Sequence, residues 1–553
     1  MLEERPSPAD HFFAKVNPLS HVESSPLSAV PGFSRLFLDY CSGAPAAQAF
    51  YAAASGGEAG GQAVPAQRAE LVRLLAAQNP QPAAAAAPTA LEQGAGTVLT
   101  GQQAGLFGGQ LLVPFKAATA VARARTAATH GHAQVGIFWI ASEDHDFDEI
   151  DHVLLPAGRE LVKLKYRPEA PLVAGRPVGT VRIDASINAL LDEAWKLLGD
   201  SEAMDALSES YKPGRSFAEA FASFYSRAFA AEGLLIVDAA GRDFHRMGAP
   251  VLAAGIERAD EFHEALLERN RQLTAAGYHA QVAVGQQSSL LFLIDAKSGV
   301  RQALKRTAPS ATEPRGLWQA GKAFYSTEDL LGVLATEPER ISPSALLRPV
   351  FQDYLFTTST LVGGPAEVAY FAQSAVLYER ILGWQSRPAA RFTATLIEPA
   401  IAKLLSQHGL SPADLYLQTS DGLQQQFALA ALPAEGRAQL AAAGEALEAE
   451  LEPLLGWMRS LDEGLGRSAE RSASKMRYQM GRLRRLAANF QLQKEEALGR
   501  HAQQLMTSLV PGGVLQERVH GAASAYARHG FALNEAICRQ AAAQQAAHWQ
   551  LWI

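Results

Sequence analysis

Cysteine is almost missing from this chain: two in 553 residues, Cys41 and Cys538, at opposite ends. That excludes a disulfide framework and any CxxC metal knuckle, and it suits a reducing compartment. Apolar runs long enough to span a bilayer, about 18 residues or more, are also missing, so no membrane segment is expected. The start, MLEERPSPADHFF, is polar and proline-punctuated. It lacks the basic stretch leading into an apolar one that marks a secretory signal, so the cytoplasm is the expected location. Basic excess is lacking too. The 49 Lys and Arg are outnumbered by 56 Asp and Glu, for a net charge of −7, which excludes a general nucleic-acid binder. Neither GxGxxG nor GxxxxGK[ST] occurs, so the usual nucleotide signatures are absent. What remains is ordinary globular material, 48% hydrophobic and 19% charged, long enough for three or four domain-sized units.

The patterning predicts an α/β protein. Ser34 to about Ala54 reads as helix, and the Pro/Ala-rich stretch Asn79–Pro88 as a linker or helix tip. Thr97–Leu99 is a short β-type run ending in TGQQAGLFGGQ; a helix is expected from Val113 to Thr129, and VGIFWIA (Val135–Ala141) is apolar on both faces, as a buried parallel strand is. Strand, turn, helix and strand make a βαβ unit. The alternation resumes with a helix over Phe217–Ala231, a strand over Gly233–Asp238 and a helix over Ala249–Ala275. Lys163–Ile183 reads as a β-rich insertion, and Gln281–Gly285 with Leu290–Ile294 as a hairpin. Further on, Leu440, Leu447, Leu454 and Leu461 recur every seven residues, interleaved with Leu451, Met458 and Leu465. A second series follows at Met476, Leu483, Phe490 and Ala497. Such seams predict an antiparallel coiled-coil hairpin turning near Gly464–Gly466, with a kink or break at Pro453.

Three segments carry candidate chemistry. TGQQ (Thr100, Gly101, Gln102, Gln103) sits at a strand end before a helix. Its glycines, with Gly105, Gly108 and Gly109, admit close backbone approach; the helix N-terminus offers N–H groups to an anion, and Lys116 lies one turn in. SEDHD follows the buried VGIFWIA strand. Five acids and one histidine fall within Glu143–Ile150, after Ser142, and crowded carboxylates need a cation, an ammonium or a proton. Glu143, Asp144, His145 and Asp146 are therefore candidates for ammonium binding or, with a raised carboxylate pKa, general base; a metal on Asp144, His145, Asp146 and His152 is the other option. The third segment, Ser342–Gln373, gathers Arg348, Gly363, Gly364, Glu367, Tyr370 and Gln373 in an apolar context, with Arg348 suited to a carboxylate. SASKM (Ser472–Met476) is read as a chance likeness to a synthetase loop, and the two cysteines as ordinary small side chains.

Together TGQQAGLFGGQ, SEDHDFDEIDHV, LLRPVFQDYLFTTSTLVGGPAEVAYFAQ, LFLDYCSG and PGGVLQERV, spread from end to end, resemble the cysteine-adding enzymes of bacillithiol biosynthesis, the BshC family. The chain departs from the usual family pattern in its alanine content and in GLFGGQ, where a Gly-Pro ending of that turn is more common. The resemblance implies a Rossmann-like core with connecting insertions and a C-terminal coiled coil that pairs two subunits. It divides the chain into core (1–160, 216–280, 341–430), insertions (161–215, 281–340), coiled coil (431–510) and a helical return to the core (511–553). The activity it implies is a carbon–nitrogen ligase reaction joining L-cysteine to glucosaminyl-malate, the last step to bacillithiol, with ATP the expected activating cosubstrate and Mg2+ a companion. Gly101–Gln103 and Lys116 would then hold the activated carboxylate or phosphate. Glu143, Asp144 and Asp146 would bind the cysteine ammonium or deprotonate the sugar amine, with His145 as alternative base, and Arg348 would take the malate carboxylate. No resident metal, nucleic acid or membrane partner is expected. A catalytically silent scaffold and a metal-dependent hydrolase are the rival readings.

Overall fold

A computed structural model describes residues 19–51, 65–307 and 316–553. The sequence start and the last residues of the helix expected up to Ala54 lie outside the described residues. The core is a five-stranded parallel sheet of β1 (Gly96–Gln102), β2 (Gln134–Ile140), β3 (Leu235–Val237), β4 (Thr358–Gly363) and β5 (Arg387–Ala390). Their order across the sheet is β5-β4-β1-β2-β3. Alternate residues of β2 explain why it is apolar throughout: Phe138 and Ile140 enter one core, and Val135, Ile137 and Trp139 the other.

The chain leaves β1 through α1 (Leu112–Thr129) to β2 and then β3, and later returns on the other side of β1 as β4, followed by α2 (Pro365–Ile381). The direction of winding therefore reverses between β1 and β4. A crevice opens beyond the C-terminal strand ends at such a point. Gly101-Gln102 ends β1 and Gly363 ends β4, so TGQQ and GGPAE meet there.

Outside the core, the stretch 152–215 supplies a hairpin (His152–Ala157 with Glu160–Lys165) and two helices, so the first insertion begins before the expected 161. Only the first residues of the expected β-rich Lys163–Ile183 are strand; the rest is loop around the 3-10 turn Val178–Thr180, tied by Val178 N–H to Asp144 O and Gly179 N–H to Ser142 O. The second insertion is an antiparallel sheet in which Ser288–Ile294 pairs with Arg301–Arg306 and with Ile341–Pro343, so it runs past 340. Gln281–Gly285 is not a strand; Val282 is instead held at both backbone atoms by the Gln373 amide. Ala249–Ala275 is two helices divided at Arg258, and Ser34 onward is two short helices, Arg35–Cys41 and Pro45–Gln48, divided at Gly43. Of the two readings of the stretch from Asn79, helix tip fits at its start: Asn79 directly follows the helix Pro65–Gln78, and its buried amide bonds Ile236.

The helical arm is α3 (Ala434–Leu461) and α4 (Glu463–Lys494). α3 runs unbroken through Pro453. The turn comes at Asp462, whose carboxylate caps α4 by accepting from Leu465 N–H, ahead of the expected glycines. Within the hairpin Leu447, Leu451 and Leu455 pack against Ala469 and Ala473. Of the other seam residues, Leu454, Leu461, Leu465, Met476, Leu483 and Phe490 stay exposed, and Leu440, Met458 and Ala497 are half-buried. The C-terminal return is only partly helical: it ends in the strand Ala547–Trp552, between His21–Pro26 and Thr393–Ile397. No described helix is long and apolar enough to cross a membrane.

Candidate active site

The crevice between β1 and β4 is a cleft of about 330 Å³. Its floor is an ion pair. Lys116, on α1, is buried, and its ammonium donates to Gly101 O (2.7 Å), Gln102 Oε1 (2.8 Å) and the Glu367 carboxylate. An ammonium has three protons, and all three have acceptors. Glu367 in turn accepts from Gly364 N–H at 2.7 Å, closing the first turn of α2. Burial pushes Lys116 downward in pKa, against the attraction of Glu367. Burial would push Glu367 upward, but Lys116 and the Gly364 amide reverse that and hold it ionised. Lys116 is thus a brace joining the ends of β1 and β4, not the free phosphate ligand the sequence suggested.

Arg348 and Tyr370 form the wall, with Arg348 Nη2 3.1 Å from the Tyr370 hydroxyl. Burial lifts Tyr370 to about 12, so it stays a neutral donor. Arg391 and Arg518, neither singled out from sequence, complete the cationic side. Arg391 is held by Glu517 and by Phe392 O; Glu517 is fully buried and also accepts from Thr393 Oγ1 and Ala394 N–H. Among the described residues no carboxylate pairs with Arg348 or Arg518. A signal was present for only one of these two arginines: Arg518 belongs to PGGVLQERV, whereas Arg391 sits in an unremarked stretch after β5.

Opposite lies Asp144. Gln103 Nε2 donates to Asp144 Oδ2 at 2.6 Å and to Glu149 Oε2 at 2.8 Å, and Asp144 Oδ1 accepts from His145 N–H at 2.7 Å and Asp146 N–H at 3.4 Å. Burial raises its pKa, but these hydrogen bonds outweigh that, so the net direction is down. The raised pKa expected of a crowded carboxylate does not occur at Asp144: the loop spreads its acids apart and gives this one three donors.

The other acidic-loop residues point elsewhere. Glu143 turns under the loop to buried His245, with Nε2 3.0 Å from Oε1, an ionic contact with poor hydrogen-bond alignment. His245 Nδ1 faces Ile341 O at 2.9 Å; burial pushes His245 downward, but Glu143 turns the net shift upward. Ser142 bonds Asp238 at the end of β3, outside the cleft. His145 Nδ1 faces Arg301 Nη1 at 3.3 Å, so the guanidinium donates to it and occupies the lone pair a base would use. Arg301, which crosses from the second insertion with its guanidinium 3.7 Å over Phe292, was not foreseen. Asp146 is exposed at the start of the Phe147–Ile150 turn. Among the described residues no three His, Cys, Asp or Glu side chains gather as a metal site; His152 is turned to Asp151 instead.

Three more candidates are structural. Thr100 Oγ1 is buried on Val362 O, and Gln373 is spent on Val282 and Asn270. Gly363 lies beside the cleft, where a Cβ would come within 2.9 Å of Glu367. Gly101 is required because a Cβ would meet Trp139 O at 2.6 Å, while Gly364 faces the ion pair. The rest of the glycine-rich turn closes on itself. Phe107, Gly108 and Gly109 are all left-handed, with φ of 51°, 84° and 69°. Tyr211 bonds Gly105 O and Gly108 N–H, and Tyr225 bonds Gly108 O. The first turn of α1 is covered by the C-terminal segment, with Leu111 N–H on His520 O. The anion site expected there is therefore filled by protein.

Two family models match in tandem: "Bacillithiol biosynthesis BshC, N-terminal Rossmann-like domain" over residues 21–382, and "Bacillithiol biosynthesis BshC, C-terminal coiled-coil domain" over 394–551. The chain belongs to the BshC family. Relatives named "Putative cysteine ligase BshC" include that of Koribacter versatilis, 38% identical over 93% of this chain and 96% of the relative. That of Solibacter usitatus is 32% identical over 85% and 86%; that of Salinibacter ruber is 29% identical over 89% and 92%. In this BshC-family chain the boundary between the two matched domains, 382–394, falls at β5 and Arg391. The cleft therefore draws residues from both domains: Asp144, Lys116 and Arg348 from the first and Arg518 from the second.

Proposed function

We propose that this chain is an ATP-dependent ligase that joins L-cysteine to glucosaminyl-malate through an amide bond, the last step to bacillithiol. The observation that carries it is charge placement. One small cleft at the winding reversal sets an ionised, three-fold hydrogen-bonded Asp144 against Arg348 and Arg518, which lack carboxylate partners among the described residues.

The substrates are complementary to this. Cysteine brings an ammonium, which Asp144 suits; malate brings carboxylates, which an arginine pair suits. The cysteine carboxylate needs activation, and a nucleoside triphosphate supplies it as an adenylate or acyl phosphate. The sugar amine then attacks the acyl carbon; the carbon–nitrogen bond forms, AMP or phosphate leaves with the electron pair, and the amine loses a proton. Gly101–Gln103 lie where the activated group would sit. Mg2+ would enter on the phosphates, since such ions take few protein ligands. With Glu143 turned to His245 and His145 engaged by Arg301, Asp144 acts as ammonium anchor.

The exposed Leu461, Leu465, Met476, Leu483 and Phe490 support a homodimer through the helical arm. A substrate that must keep its thiol free suits the reducing cytoplasm. The test is incubation of purified protein with glucosaminyl-malate, L-cysteine and ATP-Mg. Mass analysis should show the amide and either AMP or ADP; no amide with any nucleotide sinks the reading, and amide formation without a nucleotide removes ATP from it.

A further inference from the structure

A second cavity, of about 300 Å³, lies beyond β5 at the sheet edge. Its walls come from α1 (Arg123), the helix Arg35–Cys41, β5 (Arg387) and the turn at Gln544 before the last strand. It touches the candidate active site only at Pro365 and Arg391, and the Arg391 guanidinium is turned to Glu517. Among the described residues no Asp or Glu lines it. Arg123 and Arg387 both line it, close enough to repel each other, and among the described residues neither forms an ion pair. Repulsion by Arg387, after burial, holds Arg123 down to about 10.

Like charges are rarely brought together in a half-buried cavity without a counter-ion, because burial strengthens their repulsion. The protein also invests in the arrangement. Gln544 adopts a left-handed backbone at φ 51° and accepts from Arg123 Nη1 at 3.0 Å, while Arg123 Nε is buried without a partner. Backbone strain and an unpaired buried donor each cost stability. The aromatic sides, Trp549 stacked on Phe392 and Tyr40 bonded to Pro388 O, give the cavity an apolar body with a cationic end.

We propose that this cavity binds a small organic anion, its phosphate or carboxylate group held between Arg123 and Arg387. It is a binding site separate from the candidate catalytic cleft and does not depend on the ligase reading. Because Pro365 and Arg391 border both spaces, an occupant would stiffen one wall of the cleft.

Cys41 lines the cavity and Cys538 is buried, so alkylation of Cys41 reports on this place alone. Burial lifts the Cys41 thiol to about 12, so labelling is run at alkaline pH. The full-length protein is treated with iodoacetamide, with and without pyrophosphate or succinate, and the Cys41 peptide is quantified by mass spectrometry. The expected result is about tenfold slower modification with at least one of the two anions, lost in Arg387→Ala. Arg387 is exposed, so this variant keeps its fold. Protection by pyrophosphate alone assigns a phosphate ligand, and by succinate alone a carboxylate. Equal rates with and without both anions, or protection that survives Arg387→Ala, overturns the site.

Discussion

Gln103 Nε2 lies 2.6 Å from Asp144 Oδ2 and 2.8 Å from Glu149 Oε2, so one amide joins the end of β1 to the acidic loop after β2. Both amide protons are used, and no neutral side chain in the cleft does more to keep Asp144 ionised. Gln103→Leu should lower kcat/KM for amide formation by about tenfold, and Asp144→Asn by about a hundredfold. The affinity for cysteine should weaken in both. Unchanged kcat/KM in Asp144→Asn, in protein of native circular dichroism, would remove the ammonium anchor.

Lys116 and Glu367 form a buried pair, and removing one partner strands the other. Lys116→Met should destabilise the fold by about 3–5 kcal/mol, and the double variant Lys116→Met with Glu367→Gln should recover part of it. Urea unfolding of the three proteins checks this; an additive double variant would show that the two residues are not coupled.

Arg348→Gln should raise KM for the malate-bearing substrate about tenfold while leaving the affinity for cysteine near that of the parent. Steady-state kinetics with each substrate varied separately distinguish this from a general loss. An equal rise in both constants would mean that Arg348 shapes the cleft without touching malate.

Two buried histidines make the acid limb of stability predictable. His520 and His548 are pushed down by burial to about 4 from the usual 6.5. The unfolded chain takes up these protons below 6.5 and the folded chain only below about 4, so stability falls as pH drops between the two, by on the order of 3 kcal/mol per histidine. His245 acts in the opposite sense: its raised folded pKa contributes stability that is full below 6.5 and is lost as pH rises through the folded value. His548→Gln, which keeps partners for Thr393 and Thr395, should flatten the fall between 6.5 and 4 in urea titrations. An unaltered slope would contradict a neutral His548.

Leu483→Glu with Phe490→Glu should convert a dimer to monomers in sedimentation velocity, since both side chains are exposed on α4 and neither belongs to the buried cluster of the hairpin. A variant that sediments as the parent does would place the subunit contact elsewhere.

Sequence alone determined the periodic features. A strand buried on both faces must be apolar throughout, so VGIFWIA was legible as β2, and the heptads announced a helical arm. The three polar segments stood out because they interrupt apolar text, and their order carried the family resemblance. Only the tertiary structure decided what each polar side chain does, because its partners come from distant parts of the chain. Lys116 looked free until Glu367 came within reach from 251 positions away, the difference of 367 and 116. Glu143 was captured by His245, His145 by Arg301 and Gln373 by Val282. The glycine-rich turn seemed built for an anion until Tyr211, Tyr225 and the C-terminal segment filled it. Arg391 and Arg518 entered the cleft through the packing of the C-terminal domain. A periodic pattern reports burial of its own element and can be read locally. A hydrogen-bond partner is set by the fold's closure, and TGQQ and SEDHD became two sides of one cleft only when the sheet brought Gln103 against Asp144.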